Sequence, residues 1–188
     1  MATLLTRLNE DDPTLRKVEL EAMDGCRYYE ISQALRRNKA VQSLCINDGL
    51  FDIEGFQSPT WRKLRRLLQS VRYMDNLEDL GLFGKMSLDN IHDVQVIAKA
   101  ISGHPVLREV NLLDFIIYAA DHVDSAPLLE SLLTAASSID NLEAFQLRCM
   151  ASYKHWSRSY MTSQVLIPVC QSTRLQRLAL SNVGLRDE

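Results

Sequence analysis

A short phrase of leucine-like residues returns six times along this chain. The phrase reads Leu-x-x-Leu-x-Leu, with Val, Ile or Phe replacing some of the leucines. Its copies begin at Leu15, Val41, Leu77, Leu107, Leu142 and Leu175. A phrase that returns at this spacing predicts a stack of similar units, because each unit needs its neighbours to bury its apolar face.

A second apolar pattern precedes each phrase at a constant distance. The residue ten positions before each copy is apolar, and the residue six positions before is apolar in five of the six copies. Leu132 and Ala136 show this ahead of Leu142. Apolar residues four apart predict the buried face of a helix. The phrase itself alternates, as in Val18-Glu19-Leu20, so each unit is predicted to be helix, turn and strand.

Successive helix–strand units predict parallel strands joined by right-handed crossovers. The expected fold is an α/β solenoid, a horseshoe with about six parallel strands on its concave face and helices on its convex face. The phrases resemble the leucine-rich repeat family, and the long helix-bearing units are similar to its ribonuclease-inhibitor-like branch. The segment 178–185 is the closest local match, and the segment 8–20 is similar to the start of the tropomodulin repeat domain. One departure is that the family's asparagine after each strand is replaced here by Met23, Gly49, Lys85, Phe115, Met150 and Val183.

The length of the chain fits one repeat domain over residues 1–188. Residues 1–12 are expected to form a helix that covers the first strand with Leu4, Leu5 and Leu8. At the other end, residues 181–188 resemble the turn that begins another unit. We therefore expect an uncapped or truncated C-terminal end, which could associate end to end with another copy through the exposed strand edge.

Composition narrows the class of partner. The net charge of −3 gives no global positive field, so nucleic acid is not an expected partner. The sequence holds no apolar run of about 18 residues, and its start lacks the apolar core of a signal peptide. The four cysteines have no paired spacing, which favours free thiols in a reducing compartment. These features predict a cytoplasmic protein with no membrane contact.

Unit length varies only between a strand and the next helix. The extra residues fall at about 47–59, 83–90, 113–127 and 148–161, which are predicted to be loops. Insertions at one point of every repeat lie along one edge of a solenoid, and such an edge often binds partners. Eight of the 13 aromatic residues lie in these segments: Phe51, Phe56, Phe83, Phe115, Tyr118, Tyr153, Trp156 and Tyr160.

Two interpretations of these aromatic residues stay open. They are either exposed anchors for a protein partner or loop residues that fold down to close the edge of the core.

The outward positions of the strands offer a second binding surface of mixed polar and charged residues. The residues predicted to contact a protein partner are Phe51, Phe56, Phe83, Tyr153, Trp156, Tyr160, Asp79, Glu109, Asn111, Gln146 and Arg148.

Residues that could carry chemistry are few. The histidines are scattered and form no metal-ligand spacing, and the glycines form no phosphate loop. Cys149 and His155 share one predicted loop, which leaves a hydrolase as an alternative. The basic cluster 62–66 is interpreted as a solvated helix face, with an acidic partner or RNA as the alternative. We therefore expect a non-enzymatic protein-binding scaffold with no cofactor, and a structural fragment of a longer repeat protein is a further alternative.

Overall fold

The computed structural model describes residues 3–21, 27–48, 59–88, 91–119, 126–151, 161–181 and 185–186. The strands are β1 (Lys17–Glu21), β2 (Ser43–Asp48), β3 (Asp79–Leu88), β4 (Glu109–Ala119), β5 (Ala144–Ala151), β6 (Met161–Thr162), β7 (Arg177–Ser181) and β8 (Leu185–Arg186). The helices are α1 (Leu4–Asn9), α2 (Arg27–Arg37), α3 (Pro59–Val71), α4 (Ile91–Ile101), α5 (Ala126–Ser137) and α6 (Ile167–Cys170), with a 3₁₀ turn at Ser163–Leu166.

Six strands form one open parallel sheet in the order β1-β2-β3-β4-β5-β7. A helix separates each strand from the next in sequence, and each helix contacts the helix of the following unit. The helices therefore form one layer on one face of the sheet. No helix of the described residues covers the other face, which we call the open face. The predicted six parallel strands with intervening helices are confirmed.

One backbone arrangement opens every strand pairing. The carbonyl of Arg16 accepts hydrogen bonds from the N–H groups of Gln42 and Ser43, at 2.7 and 3.0 Å. The carbonyls that act in the same way for the later pairings are those of Gln42, Glu78, Arg108 and Glu143. Because this bonding recurs at the same point of each phrase, the phrase fixes the register of the strands.

The core lies between the sheet and the helix layer. In the first five units the inward strand residues are at most 2% exposed: Val18, Leu20, Leu44, Ile46, Leu80, Leu82, Val110, Leu112, Phe145 and Leu147. Helix residues from the predicted pattern meet them, including Ile31, Leu67, Ile97 and Leu132. Each such side chain contributes about 1.5–3 kcal/mol when fully buried. The equivalent residues of β7, Leu178 and Leu180, are only partly buried.

Side chains in the helix-to-strand turns join neighbouring units. Asn38 donates to the carbonyl of Leu8 at 3.0 Å, and His104 Nε2 lies 3.2 Å from the carbonyl of Val71. Both side chains lie three positions before a phrase, and both meet a carbonyl near the end of the previous unit's helix. Each carbonyl also accepts a backbone N–H of the turn after its helix, from Asp11 at 3.4 Å and from Met74 at 3.0 Å. The side chains of Asn38 and His104 therefore add a contact between stacked units at these two turns.

Three of the predicted loops are wrong in part, because strands continue into them. β3 runs to Leu88, β4 to Ala119 and β5 to Ala151, so Phe83, Phe115 and Tyr118 lie in strands. The extension of β3 and β4 follows a register shift between Gly81 and Gly84. Gly84 has a φ of 137°, a backbone conformation that favours glycine and accommodates such an irregularity.

The last unit departs from the long helix of the other units. Its helical segment is a 3₁₀ turn followed by the four-residue α6, with Pro168 in the first turn. Proline has no N–H for an interior helical hydrogen bond, so it belongs in a first turn. The N-terminal helix predicted within 1–12 is α1, which packs beside α2. Among the described residues no helix combines the length and apolar character needed to cross a membrane.

Candidate protein-binding face of the sheet

The open face of the sheet presents alternate strand residues in lateral rows. The strand register gives a first row of Lys17, Ser43, Asp79, Glu109, Ala144 and Arg177. A second row holds Glu19, Cys45, Gly81, Asn111, Gln146 and Ala179. The rows bring together residues that lie far apart in sequence, and they form a continuous polar surface opposite the helices.

Five of the predicted binding residues meet on these rows or directly beside them. Asp79 pairs with Glu109 in the first row, and Asn111 pairs with Gln146 in the second. Arg148 pairs with Ser181 at the level above. Asp79 is exposed, and the other four are partly exposed. The strand pattern alone located these positions, because alternate residues of a strand point to the same face.

Phe83 lies at the centre of the open face and covers Gly81. A Cβ atom placed on Gly81 would be 2.9 Å from Cε2 of Phe83, which is too close for an undisturbed contact. The ring therefore occupies the space that a side chain at position 81 would need. Asn47 is the neighbour of Phe83 on β2, and the aromatic side chain stays partly exposed. This gives the face a shallow apolar centre within a polar surround, the arrangement typical of an interface anchor.

The part of the open face formed by β1 to β4 is acidic. Glu19, Glu21, Asp79 and Glu109 stand at outward positions of these strands, and Lys17 is a basic residue beside them on β1. Desolvation by the neighbouring strands raises the pKa of Asp79, and the nearby carboxylate of Glu109 raises it further. Desolvation followed by the charge of Glu19 raises the pKa of the Cys45 thiol. A basic or polar protein surface therefore complements this part of the face better than an anionic one does.

An ion pair crosses the strand β5 on the open face. Arg177 on β7 donates from Nη2 to Oε1 of Glu109 on β4 at 2.7 Å. Ala144 is the register partner of both residues and is only 1% exposed. Ala144 therefore stands in the outward first row while its side chain is covered, and the ion pair spans it.

The aromatic residues of the predicted loops fall largely outside the described residues. Phe51, Phe56, Tyr153, Trp156 and Tyr160 lie there, as does His155 of the alternative hydrolase site. Cys149 lies in β5, where it pairs with Ile117 of β4. Among the residues described, no group of three His, Cys, Asp or Glu side chains could hold a metal ion.

Two exposed aromatic residues on the helix layer were not predicted. Tyr29 on α2 and Tyr73, just after α3, are 55% and 56% exposed. Arg66 lies over the ring of Tyr29, and Arg36 lies over the ring of Tyr73. The sequence carries a weak signal, since Tyr29 and Arg36 are seven residues apart in one unit, and Arg66 and Tyr73 are seven residues apart in the next. Only the stacking of the helices brings them together.

Comparison with known proteins identifies the type of fold, and it identifies neither a family nor a function. No family model matches the sequence, and no curated protein shows significant similarity to it. The structure is similar to a solved structure titled "Leiomodin-1 Actin-Binding Site 2 (ABS2)", with a TM-score of 0.56 and 11% sequence identity. The match covers 90% of this chain and 87% of that chain. This similarity and the parallel sheet with alternating helices fit a leucine-rich-repeat type of fold.

Proposed function

We propose that this chain is a non-enzymatic protein-binding module that contacts its partner through the open face of the sheet. The observation that carries the proposal is the placement of Phe83 over Gly81, within in-register rows of polar and charged residues. A partly exposed aromatic residue surrounded by polar groups is the usual composition of an interface core and its rim. The aromatic residues of the predicted loops are proposed to continue this surface.

We further propose that the sheet curves so that the open face is the concave side of a right-handed horseshoe of the ribonuclease-inhibitor-like kind. The helix layer supports this, because helices need more lateral space per unit than the 4.7–4.9 Å between strands. Small-angle X-ray scattering would distinguish a curved stack from a flat one.

The thiols of Cys45 and Cys170 are free, which suits a cytoplasmic location.

Actin is the first candidate partner to test. The structural neighbour is an actin-binding site of leiomodin-1, and it shares the fold over most of both chains. Fold similarity alone does not transfer a partner, so the proposal depends on a direct measurement. The intact chain would be tested for co-sedimentation with filamentous actin and for binding to labelled monomeric actin. Saturable binding to either form supports this partner, and its absence from both rejects it.

The binding face is tested separately from the identity of the partner. The variant Asn111→Arg with Gln146→Arg places two bulky charges at the centre of the open face. The matched control Thr134→Arg with Gln171→Arg adds the same charge at exposed helix-layer positions. Loss of partner binding in the first variant alone supports the open face. Equal binding by both variants would show that the partner uses another surface.

A further inference from the structure

The outer side of the helix layer carries a basic and aromatic surface along the seam between α2 and α3. We call this surface the arginine–tyrosine seam, and it comprises Tyr29, Arg36, Arg66 and Tyr73. Both tyrosines are more than half exposed. The α4–α5 seam differs, since small polar groups meet there, as in the contact between Ser102 and Ser138. Among the described residues, the cation–π pairs of the helix layer lie at the α2–α3 seam.

Two cation–π pairs cross this seam. The guanidinium carbon of Arg66 lies 5.6 Å from the ring centre of Tyr29, and that of Arg36 lies 5.0 Å from the ring centre of Tyr73. Each pair joins α2 to α3 or to the turn just after it. Tyr29 and Arg36 are seven residues apart on α2, as are Arg66 and Tyr73 along the next unit. Seven helical residues advance by about 10 Å, which sets the separation of the two pairs.

The stacked geometry leaves the arginines ready to bind an anion. A ring occupies the flat face of a guanidinium, while the N–H donors point outward along its edge. The ring also restricts the arginine side chain, so less conformational entropy is lost when a carboxylate binds. The Nε of Arg36 is buried, so the Nη groups are its donors to a ligand. Within the described part of the chain, neither arginine forms an ion pair with a carboxylate.

The surrounding charges favour an acidic ligand at this place. The exposed basic neighbours on the two helices and the following turn are Arg27, Arg37, Arg65 and Arg72. Glu30 and Asp75 are the acidic residues within the described helices α2 and α3 and the turn after α3, and the arginines there outnumber them. The open face over β1 to β4 is acidic, so an acidic segment would be repelled there and attracted to the seam.

We propose that the arginine–tyrosine seam binds an acidic segment of a protein partner, held in an extended conformation. Two arginines about 10 Å apart match carboxylates three residues apart in a polyproline II conformation, which rises about 3.1 Å per residue and returns every third side chain to the same side. A protein segment fits better than a nucleic acid, because the net charge of −3 and the acidic open face oppose a long polyanion. This surface lies on the helix layer and is distinct from the proposed face of the sheet.

The test uses a short fluorescent peptide with glutamate at every third position and a matched peptide with glutamine there. The intact chain is expected to bind the glutamate peptide and not the glutamine peptide in fluorescence anisotropy. The variant Arg36→Gln with Arg66→Gln is expected to bind at least about tenfold more weakly, since charge-assisted hydrogen bonds are lost. The control Arg16→Gln with Lys99→Gln makes the same change in net charge elsewhere, and it should retain binding within about twofold.

A second variant separates the stacked geometry from charge alone. Tyr29→Leu with Tyr73→Leu keeps both arginines but removes the rings, and weaker binding of the glutamate peptide is expected. Circular dichroism would confirm that each variant keeps its fold. Equal weakening in the Arg16 and Lys99 control would overturn the proposal, since it would show general charge attraction. Tighter binding to single-stranded RNA or to phosphatidylserine vesicles, lost in the Arg36 and Arg66 variant, would overturn it in favour of that ligand.

Discussion

The side-chain amide of Asn38 donates a hydrogen bond to the backbone carbonyl of Leu8, which lies in the preceding unit, at 3.0 Å. The Oδ1 of the same residue accepts from the N–H groups of Ala40 and Val41, at 3.0 and 2.9 Å. Asn38 is only 4% exposed. One buried amide therefore joins the end of α1 to the turn that precedes β2, and a water molecule could not easily replace it.

Asn38→Ala should destabilise the fold strongly. The substitution leaves the N–H of Val41 without its side-chain acceptor and removes one of the donors to the carbonyl of Leu8, at a cost of about 2 kcal/mol. Asn76→Ala is the matched control, since Asn76 donates to the carbonyl of Lys39 from an exposed position where water can substitute. Urea unfolding of both variants gives the two losses. Equal losses would show that burial of the Asn38 amide has no special role.

His104 should make the stability depend on pH. Burial lowers the pKa of His104 below 6.5, although the carbonyl of Val71 partly offsets this. As the pH falls below about 6.5, the unfolded state takes up a proton that the folded state does not. Stability should therefore be complete above this pH and should decrease as the pH falls toward the lower folded-state pKa, by at most about 1.4 kcal/mol per pH unit.

The variant His104→Gln provides the comparison for this prediction. Unfolding free energies of the two proteins would be measured between neutral and mildly acid pH, and the wild-type curve should fall more steeply. Asp12, whose pKa is lowered to about 2 by its hydrogen bonds to the Thr14 side chain and to Arg7, contributes only at more acid pH. Parallel curves would show that His104 does not titrate differently in the folded and unfolded states.

Leu67→Ala should be among the costliest substitutions on α3. Leu67 is fully buried against the strands, so its truncation leaves a cavity and should cost about 2–5 kcal/mol. Arg65→Ala on the exposed side of the same helix is the control, and a change within about 0.5 kcal/mol is expected. Thermal unfolding measures both. A small loss at Leu67 would mean that the apolar pattern preceding the phrases does not mark the core.

The sequence predicted the structural features that depend on its periodicity, which are the burial of the inward residues and the register of the strands. Inward residues such as Leu44 and Leu80 recur at fixed distances from each phrase, so their burial and strand register follow from spacing. The ends of β3 and β4 could not be predicted in this way. The register shift near Gly84 breaks the period of two on which a strand prediction depends.

The contacts between units were hidden for a different reason. Asn38 and His104 occupy equivalent positions of two units and meet equivalent carbonyls, yet they share no residue type that a repeat pattern would reveal. Tyr29 and Arg66 belong to different units, and only the stacking of α2 on α3 brings them together. Side-chain pairs between units depend on three-dimensional proximity, which the linear pattern of one unit does not encode.

Gly81→Ala should weaken partner binding at the open face without removing any side chain that could contact the partner. The new Cβ would lie 2.9 Å from Cε2 of Phe83, so the ring must move from its place over β3.

Phe83→Ala removes the ring and should weaken binding by about 2 kcal/mol, the loss typical of an aromatic anchor. Tyr73→Ala deletes an exposed aromatic on the helix layer and should leave this binding unchanged. Affinities for the partner, measured beside the unfolding free energy of each variant, separate contact from stability. If Gly81→Ala and Phe83→Ala lower stability while binding stays at the wild-type level, Phe83 is a packing residue and the open face is not the interface.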